Sequence, residues 1–306
     1  MALIPLTKIG PEAAGNYEFQ WTGPYLQAHL LSDVGKKRAH NEDSCLLCVP
    51  EDEAIARSHG MLFAVADGMG GANAGEFASR LALQTICEWY FGLPPANGIT
   101  TLLRESVAQS NRRVFEEAES NTERRGMGTT LSAALVVGQY LYAAQVGDSR
   151  IYLQRPDCPL KQVTEDHSLV AEQLRSGMIT AEEARTHSMK NLITRAIGIK
   201  DAVKTDLFSV KLQKGDTLLI CSDGLCNMVN DEIVSRALGL SNLQGVARRL
   251  VGHALEGGGS DNITTVIIRI TDVPPATQAE LDATPVSIPR PRLITSLKRL
   301  FVRQTR

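Results

Sequence analysis

MLFAVADGMGG, residues 61–71, changes character at its seventh position. The six apolar residues 61–66, bounded by turn chemistry, predict a buried strand. Asp67 then stands at the strand's mouth, and Gly68 after it lets backbone approach a ligand with no side chain in the way. Beyond the glycines, Phe77, Leu81, Thr85 and Trp89 recur every fourth residue, so 75–90 reads as an amphipathic helix laid on a sheet. A second helix, 100–120, follows directly, marked by Leu103, Val107, Ser110, Val114 and Ala118. The apolar runs 130–137, 141–146 and 151–153 come next, with connections too short for a helical crossover, which makes their pairing antiparallel. With further strands at 27–31, 44–49, 217–221 and 263–270, and helices near 231–238 and 242–255, the pattern is α+β, helices layered on antiparallel sheet. The polar helical stretch 168–198 interrupts it and reads as a small flap inserted over one sheet edge.

The folded unit is expected over 27–271. Residues 1–26 show no sustained periodicity and read as an N-terminal extension, while 272–306 open as a Pro-rich linker and close as a basic tail. The composition is that of a soluble globular protein, 43% apolar with 32 Lys+Arg against 34 Asp+Glu. No apolar run reaches the roughly 18 residues that cross a bilayer, and residues 1–19 lack a signal peptide's basic and apolar segments, so a cytoplasmic location is expected; the chain is read as a monomer. Arg290, Arg292, Lys298, Arg299, Arg303 and Arg306 carry the tail's charge with no acid among them, and taking those six charges from the net −2 leaves −8 on residues 1–289. So acidic a body argues against nucleic-acid binding and suits a protein that holds cations. In the tail, Leu293, Ile294, Leu297, Leu300 and Phe301 form one apolar stripe, the pattern of a helix that meets a membrane surface or a protein partner through residues 290–306, or that docks on the acidic catalytic body itself. The six cysteines are expected as reduced, mostly buried thiols, since a core of this size needs no staples. Cys45 and Cys48 have zinc-site spacing, but in a strand they would point to opposite faces.

Asp67 shares its setting with Asp148 in AAQVGDSR, Asp223 after TLLICS and Asp261 in GGGSDN. Each alone is an ordinary turn residue; four in one unit point to a shared task. Converging carboxylates repel, and a shared proton or a divalent cation relieves the repulsion. An all-oxygen shell of carboxylates, water and the Gly68 carbonyl selects Mg²⁺ or Mn²⁺ over Zn²⁺. The charged turn SDVGKKRAHNED, 32–43, adds Arg38, whose guanidinium fork suits phosphate oxygens. Motifs for a cysteine-thiolate phosphatase, a G-x-S-x-G elbow and a G-K-[ST] phosphate loop are all missing.

R-x-x-N-E-D at 38–43, V-A-D-G-M-G-G at 65–71, G-T-T at 128–130, V-G-D-S-R at 146–150, C-S-D-G-L at 221–225 and S-D-N at 260–262, in that order, resemble the metal-dependent protein phosphatase 2C family, bacterial branch. The resemblance implies a four-layer αββα sandwich, two antiparallel sheets flanked by helices, with two or three Mn²⁺ or Mg²⁺ in the cleft between the sheets' loop ends. It implies that Asp67 bridges two metals, that the Gly68 carbonyl joins the second, and that Asp223 and Asp261 hold the first. Asp148 with Asp223 would form a third site, Arg38 would grip the substrate phosphate, and Glu42 and Asp43 would accept hydrogen bonds from metal-bound water. Some members carry His after the metal-binding Asp-Gly; here Met69 stands there, which leaves His40, His167, His187 or a metal-bound water as leaving-group acid. The implied reaction is hydrolysis of phosphoserine and phosphothreonine esters in proteins by direct attack of a metal-bridging hydroxide, with phosphoprotein substrates and a Ser/Thr kinase as partners. The competing reading is a catalytically silent module that binds a phosphoprotein or a kinase. Loss of a metal aspartate would favour it, and all four are present. Hydrolysis of a small phosphometabolite would need a deep closed pocket, which the sequence leaves open.

Overall fold

The computed structural model describes residues 5–71, 73–95 and 98–273. In chain order its elements are β1 (Leu6–Gly10), β2 (Tyr17–Thr22), β3 (Leu26–Asp33), β4 (Asp43–Val49), α1 (Glu53–His59), β5 (Met61–Met69), α2 (Asn73–Gly92), α3 (Ile99–Ser120) and a 3₁₀ turn (Thr122–Arg124). Then come β6 (Gly128–Thr129), β7 (Leu131–Val137), β8 (Tyr140–Val146), β9 (Arg150–Gln154), β10 (Lys161–Gln162), α4 (Leu169–Ser176), α5 (Ala181–Thr186), β11 (Asp206–Lys211), β12 (Thr217–Cys221), α6 (Asp223–Cys226), α7 (Asp231–Leu238), α8 (Leu243–Glu256) and β13 (Ile263–Ile270).

One sheet runs β1-β4-β5-β7-β8-β11, with β6 paired to β5; the other runs β10-β9-β12-β13-β3-β2. Every pairing is antiparallel. The period of two along each strand sorts its side chains between layers. On β5, Leu62, Ala64 and Ala66 join the core beneath α2 and α3, while Phe63 and Val65 join the core between the sheets. Leu219 and Cys221 of β12 and Ile267 of β13 meet Val246, Leu250 and Val251 of α8 in a third core. Central strands are therefore apolar on both faces, and the layers stack as αββα.

Two expectations change. Residues 6–22 are not an extension, because β1 pairs with β4 at one edge of the first sheet and β2 with β3 at one edge of the second. As edge strands they are only partly covered: β2 buries one face, while β1 sends Leu6 and Ile9 to opposite faces. Ile9 packs on the core under the helices, and Leu6, Tyr17, Phe19 and Trp21 pack on the core between the sheets, while Lys8 and Gln20 stay outside. β2 alternates apolar and polar over six residues, and β1 has two polar residues between Leu6 and Ile9, which is why neither shows up as an apolar run. Nor are all six cysteines reduced: Cys48 and Cys87 form a disulfide between β4 and α2. Cys48 faces the helix layer and Cys45 the inter-sheet core, opposite faces as the strand period requires, so only Cys48 can meet a cysteine on α2.

The 168–198 stretch holds α4 and α5, between edge strand β10 of one sheet and edge strand β11 of the other. Ser168 Oγ caps α4 by accepting from the Ala171 N–H, and Thr180 with Glu183 forms a capping box on α5. Among the described residues no helix is long and apolar enough to cross a membrane. The tail stripe and the linker beyond residue 273 lie outside the described residues.

Deleting residues 1–24 is expected to cost about 3 kcal/mol or more, since it uncovers five apolar side chains' worth of core and two sheet edges. Thermal unfolding should show Tm lowered by roughly 6–12 °C; an unchanged Tm would restore the view of an independent extension.

Candidate metal and phosphate site

Asp67 ends the buried part of β5, directly across the ladder from Asp43 of β4. Its backbone is fixed on both sides. The Asp67 N–H donates to Thr130 Oγ1 at 2.9 Å, and its carbonyl accepts from the Thr130 N–H and from Thr129 Oγ1, each at 2.9 Å. Gly68 must be glycine for a steric reason: a Cβ there would collide with the carbonyl oxygens of Gly75 and Glu42. Its N–H donates to the Glu42 carbonyl at 3.2 Å.

The second sheet delivers the other acids. Asp223 follows β12 as the first residue of α6, and Asn227 Nδ2 donates to its Oδ2 at 3.0 Å. Ser222, one residue earlier, donates from Oγ to Asp43 Oδ2 at 2.8 Å and accepts from the Thr264 N–H at 3.0 Å. Asp261 precedes β13, and its Oδ2 accepts from Arg38 Nη2 at 2.9 Å. Asn262 then clamps the loop that carries Arg38: its Nδ2 donates to the Val34 and His40 carbonyls, and its Oδ1 accepts from the Glu42 N–H. Asp148 lies in the turn from β8 to β9, where Gln145 Nε2 donates to the carbonyls of Gly147 and Ser149.

These acids feel one another. Burial pushes the Asp67 carboxyl well above the usual range, and Asp43, Asp223, Asp148 and Asp261 add repulsion. Asp148 is pushed up to about 8, by burial first and then by Asp223 and Asp166. Asp43 is pushed up to about 7 by burial, against the hydrogen bonds from Thr264 and Ser222, with further repulsion from Asp223 and Asp261. Burial, then Asp261, raises Asp223. Asp67, Asp223 and Asp261 stay partly open to the cleft, whereas Asp43 and Asp148 are buried. Among the described residues no three acidic, His or Cys side chains close on one point as a finished ligand set. Four carboxylates carrying such repulsion, with Asp261 beside them and the crowded glycine at Gly68, fit hard divalent cations bound through oxygen.

The structure thus gathers Asp67, Gly68, Asp148, Asp223, Asp261, Arg38, Glu42 and Asp43 at one end of the two sheets. Glu42 turns its carboxylate toward Gly75 at the start of α2, and burial raises its pKa. His167 does not join them as a proton donor, because it is buried with both ring nitrogens engaged by Gly147 and Asp206. His40 is exposed beside the Arg38 loop, and His187 sits on the flap, its Nδ1 accepting from the Met189 N–H. The clamping roles of Asn262, Thr130 and Ser222 were not read from the sequence; their one signal was a small polar residue at a strand end inside S-D-N, G-T-T and C-S-D-G.

Oxygen-bearing acids gathered beside a guanidinium are the groups a metal-dependent phosphoester hydrolase would need. Residues 35–249 match the family described as Protein phosphatase 2C. The serine/threonine phosphatase stp of Listeria innocua is 38% identical over 247 residues, covering 79% of this chain and 95% of the relative. The crystal structure of the Mycobacterium tuberculosis serine/threonine phosphatase PstP superposes with a TM-score of 0.71 at 37% identity, covering 81% of this chain and 99% of that one. A catalytic domain of PstP solved in complex with 2 manganese ions gives a TM-score of 0.69 at 36% identity, over 81% of this chain and 99% of that one. The chain belongs to the protein phosphatase 2C family, and its two helix-flanked antiparallel sheets are that family's fold.

The raised acids set a pH dependence. A carboxyl whose pKa is higher folded than unfolded binds its proton more tightly in the folded state, so the stability it lends is greatest at low pH and is lost as pH rises through the folded value. With Asp43 near 7 and Asp148 near 8, Tm of the EDTA-treated protein is expected to fall between about pH 5 and pH 8. Mn²⁺ should remove that fall and Asp148→Asn should flatten it. A Tm that holds or rises over this window without metal contradicts the electrostatic reading.

Proposed function

We propose that this protein is a metal-dependent serine/threonine protein phosphatase that hydrolyses phosphoserine and phosphothreonine esters in proteins. The observation that carries the reading is the convergence of Asp43, Asp67, Asp148, Asp223 and Asp261, drawn from both sheets, with Arg38 at its edge. The serine/threonine phosphatase names of its relatives support the same class. Asp67, the Gly68 carbonyl, Asp223 and Asp261 would hold two Mn²⁺ or Mg²⁺, and Asp148 with Asp223 a third. Bound there, such cations supply an acidified water at neutral pH and offset the charge of the phosphoryl oxygens.

The chain's own groups do the rest. Arg38 is half exposed and paired with Asp261, so its fork can exchange that carboxylate for two phosphate oxygens at little desolvation cost. Asn262 sets where the fork can reach, because it pins the loop on both sides of Arg38. Asp43, pushed up to about 7, and Glu42, raised by burial, would accept hydrogen bonds from metal-bound water. The flap carries exposed Met178, Met189 and Leu192, which suits a surface that meets protein rather than small substrates. Such substrates are made by a Ser/Thr kinase, the partner activity this reading implies.

Hydrolysis of a phosphothreonine peptide is expected with Mn²⁺ and should cease with EDTA; turnover that survives chelation overturns the proposal. Asp67→Asn, Asp223→Asn and Asp261→Asn should each lower turnover by about 100-fold or more with far-UV circular dichroism unchanged. Near-parental rates in all three would remove the metal role.

Arg38→Ala acts on phosphate rather than on cations, so a raised KM with a smaller loss of kcat is expected and Mn²⁺ binding should be retained. Arg38→Lys should restore only part, since a point charge cannot form the fork. Equal kinetics for Arg38→Lys and the parent would refute bidentate binding.

A further inference from the structure

His167 lies behind the site, and its backbone and its ring together hold both peptide groups that flank the Gly147 Cα. Gly147, the residue before Asp148, accepts from the His167 N–H at 2.9 Å through its carbonyl and donates its own N–H to His167 Nδ1 at 3.1 Å. Gly147 has φ of +104°, and a Cβ there would press on Thr130 at 2.6 Å, so the turn has no slack on its other side. His167 Nε2 lies 3.0 Å from Asp206 Oδ2, and that oxygen also receives Arg195 Nη1 at 3.1 Å. The His167 carbonyl accepts from the Thr194 N–H at 2.8 Å, which ties the same residue to the returning arm of the flap.

We propose that His167 is a positioning residue whose neutral imidazole, protonated at Nε2, holds the Gly147–Asp148 turn so that the Asp148 carboxylate stays in the cleft. The tautomer follows from donor arithmetic. A backbone N–H can only donate, so Nδ1 must present its lone pair to Gly147, and the ring's proton sits on Nε2 and goes to Asp206. A doubly protonated ring would set N–H against N–H. The groups facing the ring are Asp206, Arg195 and Arg175, and burial lowers the ring's pKa, which keeps it neutral. The turn needs such an anchor because Asp148 is buried and repelled by Asp223 and Asp166, so a free turn would relax by swinging its carboxylate away.

The proposal rests on the reading of Asp148 as a cation ligand, and its test separates the two. Mn²⁺ binding to the full-length protein is measured by calorimetry for the parent, Asp148→Asn, His167→Asn and His167→Gln. Asp148→Asn should abolish the weakest class of site. His167→Gln can still donate to Asp206 but loses the Gly147 bond, and it should weaken that class on the order of 10- to 100-fold while sparing the tighter ones. His167→Asn places an amide oxygen where Nδ1 stood and should stay within a few-fold of the parent. A role in packing alone would move both variants alike. Independently, ¹⁵N shifts of the His167 ring in the metal-free parent should report the neutral Nε2–H tautomer. Equal Mn²⁺ binding by His167→Gln, His167→Asn and the parent, or a ring that is Nδ1-protonated or charged, overturns the positioning role. Unchanged binding in Asp148→Asn instead overturns the ligand reading, and the ring tautomer then decides the clamp alone.

Discussion

Like charge held together against its own repulsion is the constraint that organises this protein. Asp43, Asp67, Asp148, Asp223 and Asp261 come from strands or turns of two different sheets, and burial raises the cost of ionising most of them. Left to themselves such groups would protonate or move apart. The stacked sheets prevent the second. Each acid is at or next to the end of a strand whose remaining residues are locked in a core, so displacing a carboxylate means shifting a β-ladder.

The polar residues behind the acids finish what the ladders begin. Thr130 and Thr129 bind the Asp67 backbone, Ser222 binds Asp43, and Asn262 binds the loop of Arg38 at three points. Ser32, Thr264 and Asn41 extend the same buried chain of hydrogen bonds, Ser32 Oγ lying 2.7 Å from Thr264 Oγ1 and 2.8 Å from Asn41 Nδ2. Buried polar groups are costly unless paired, and these are paired with one another. The arrangement prepays the ordering of the acids, as a site needs if it is to bind a cation tightly and still leave coordination positions to water and substrate.

What could be read in the amino-acid order follows from how local each feature is. Strands β12 and β13 and helix α7 fall on the residues expected, because an apolar run or a helical period between turn residues is visible within ten positions. The aspartates were legible for a related reason: a carboxylate at a strand mouth followed by Gly, Ser or Asn is a local pattern. Edge strand β2 hides because one face is solvated, β1 because polar Thr7 and Lys8 break its short apolar run, and β6 and β10 because two residues have no period. The Cys48–Cys87 disulfide and the Glu42–Asn262 and His167–Gly147 contacts link residues 39, 220 and 20 positions apart, and no pattern inside one segment encodes them.

The central claim, that this acidic cleft is a cation site, is tested most directly by diffraction at the manganese absorption edge from crystals grown with Mn²⁺. Anomalous peaks are expected between Asp67 and the pair Asp223 and Asp261, with a weaker one beside Asp148. A catalytically competent crystal whose anomalous map is flat in that cleft would contradict it.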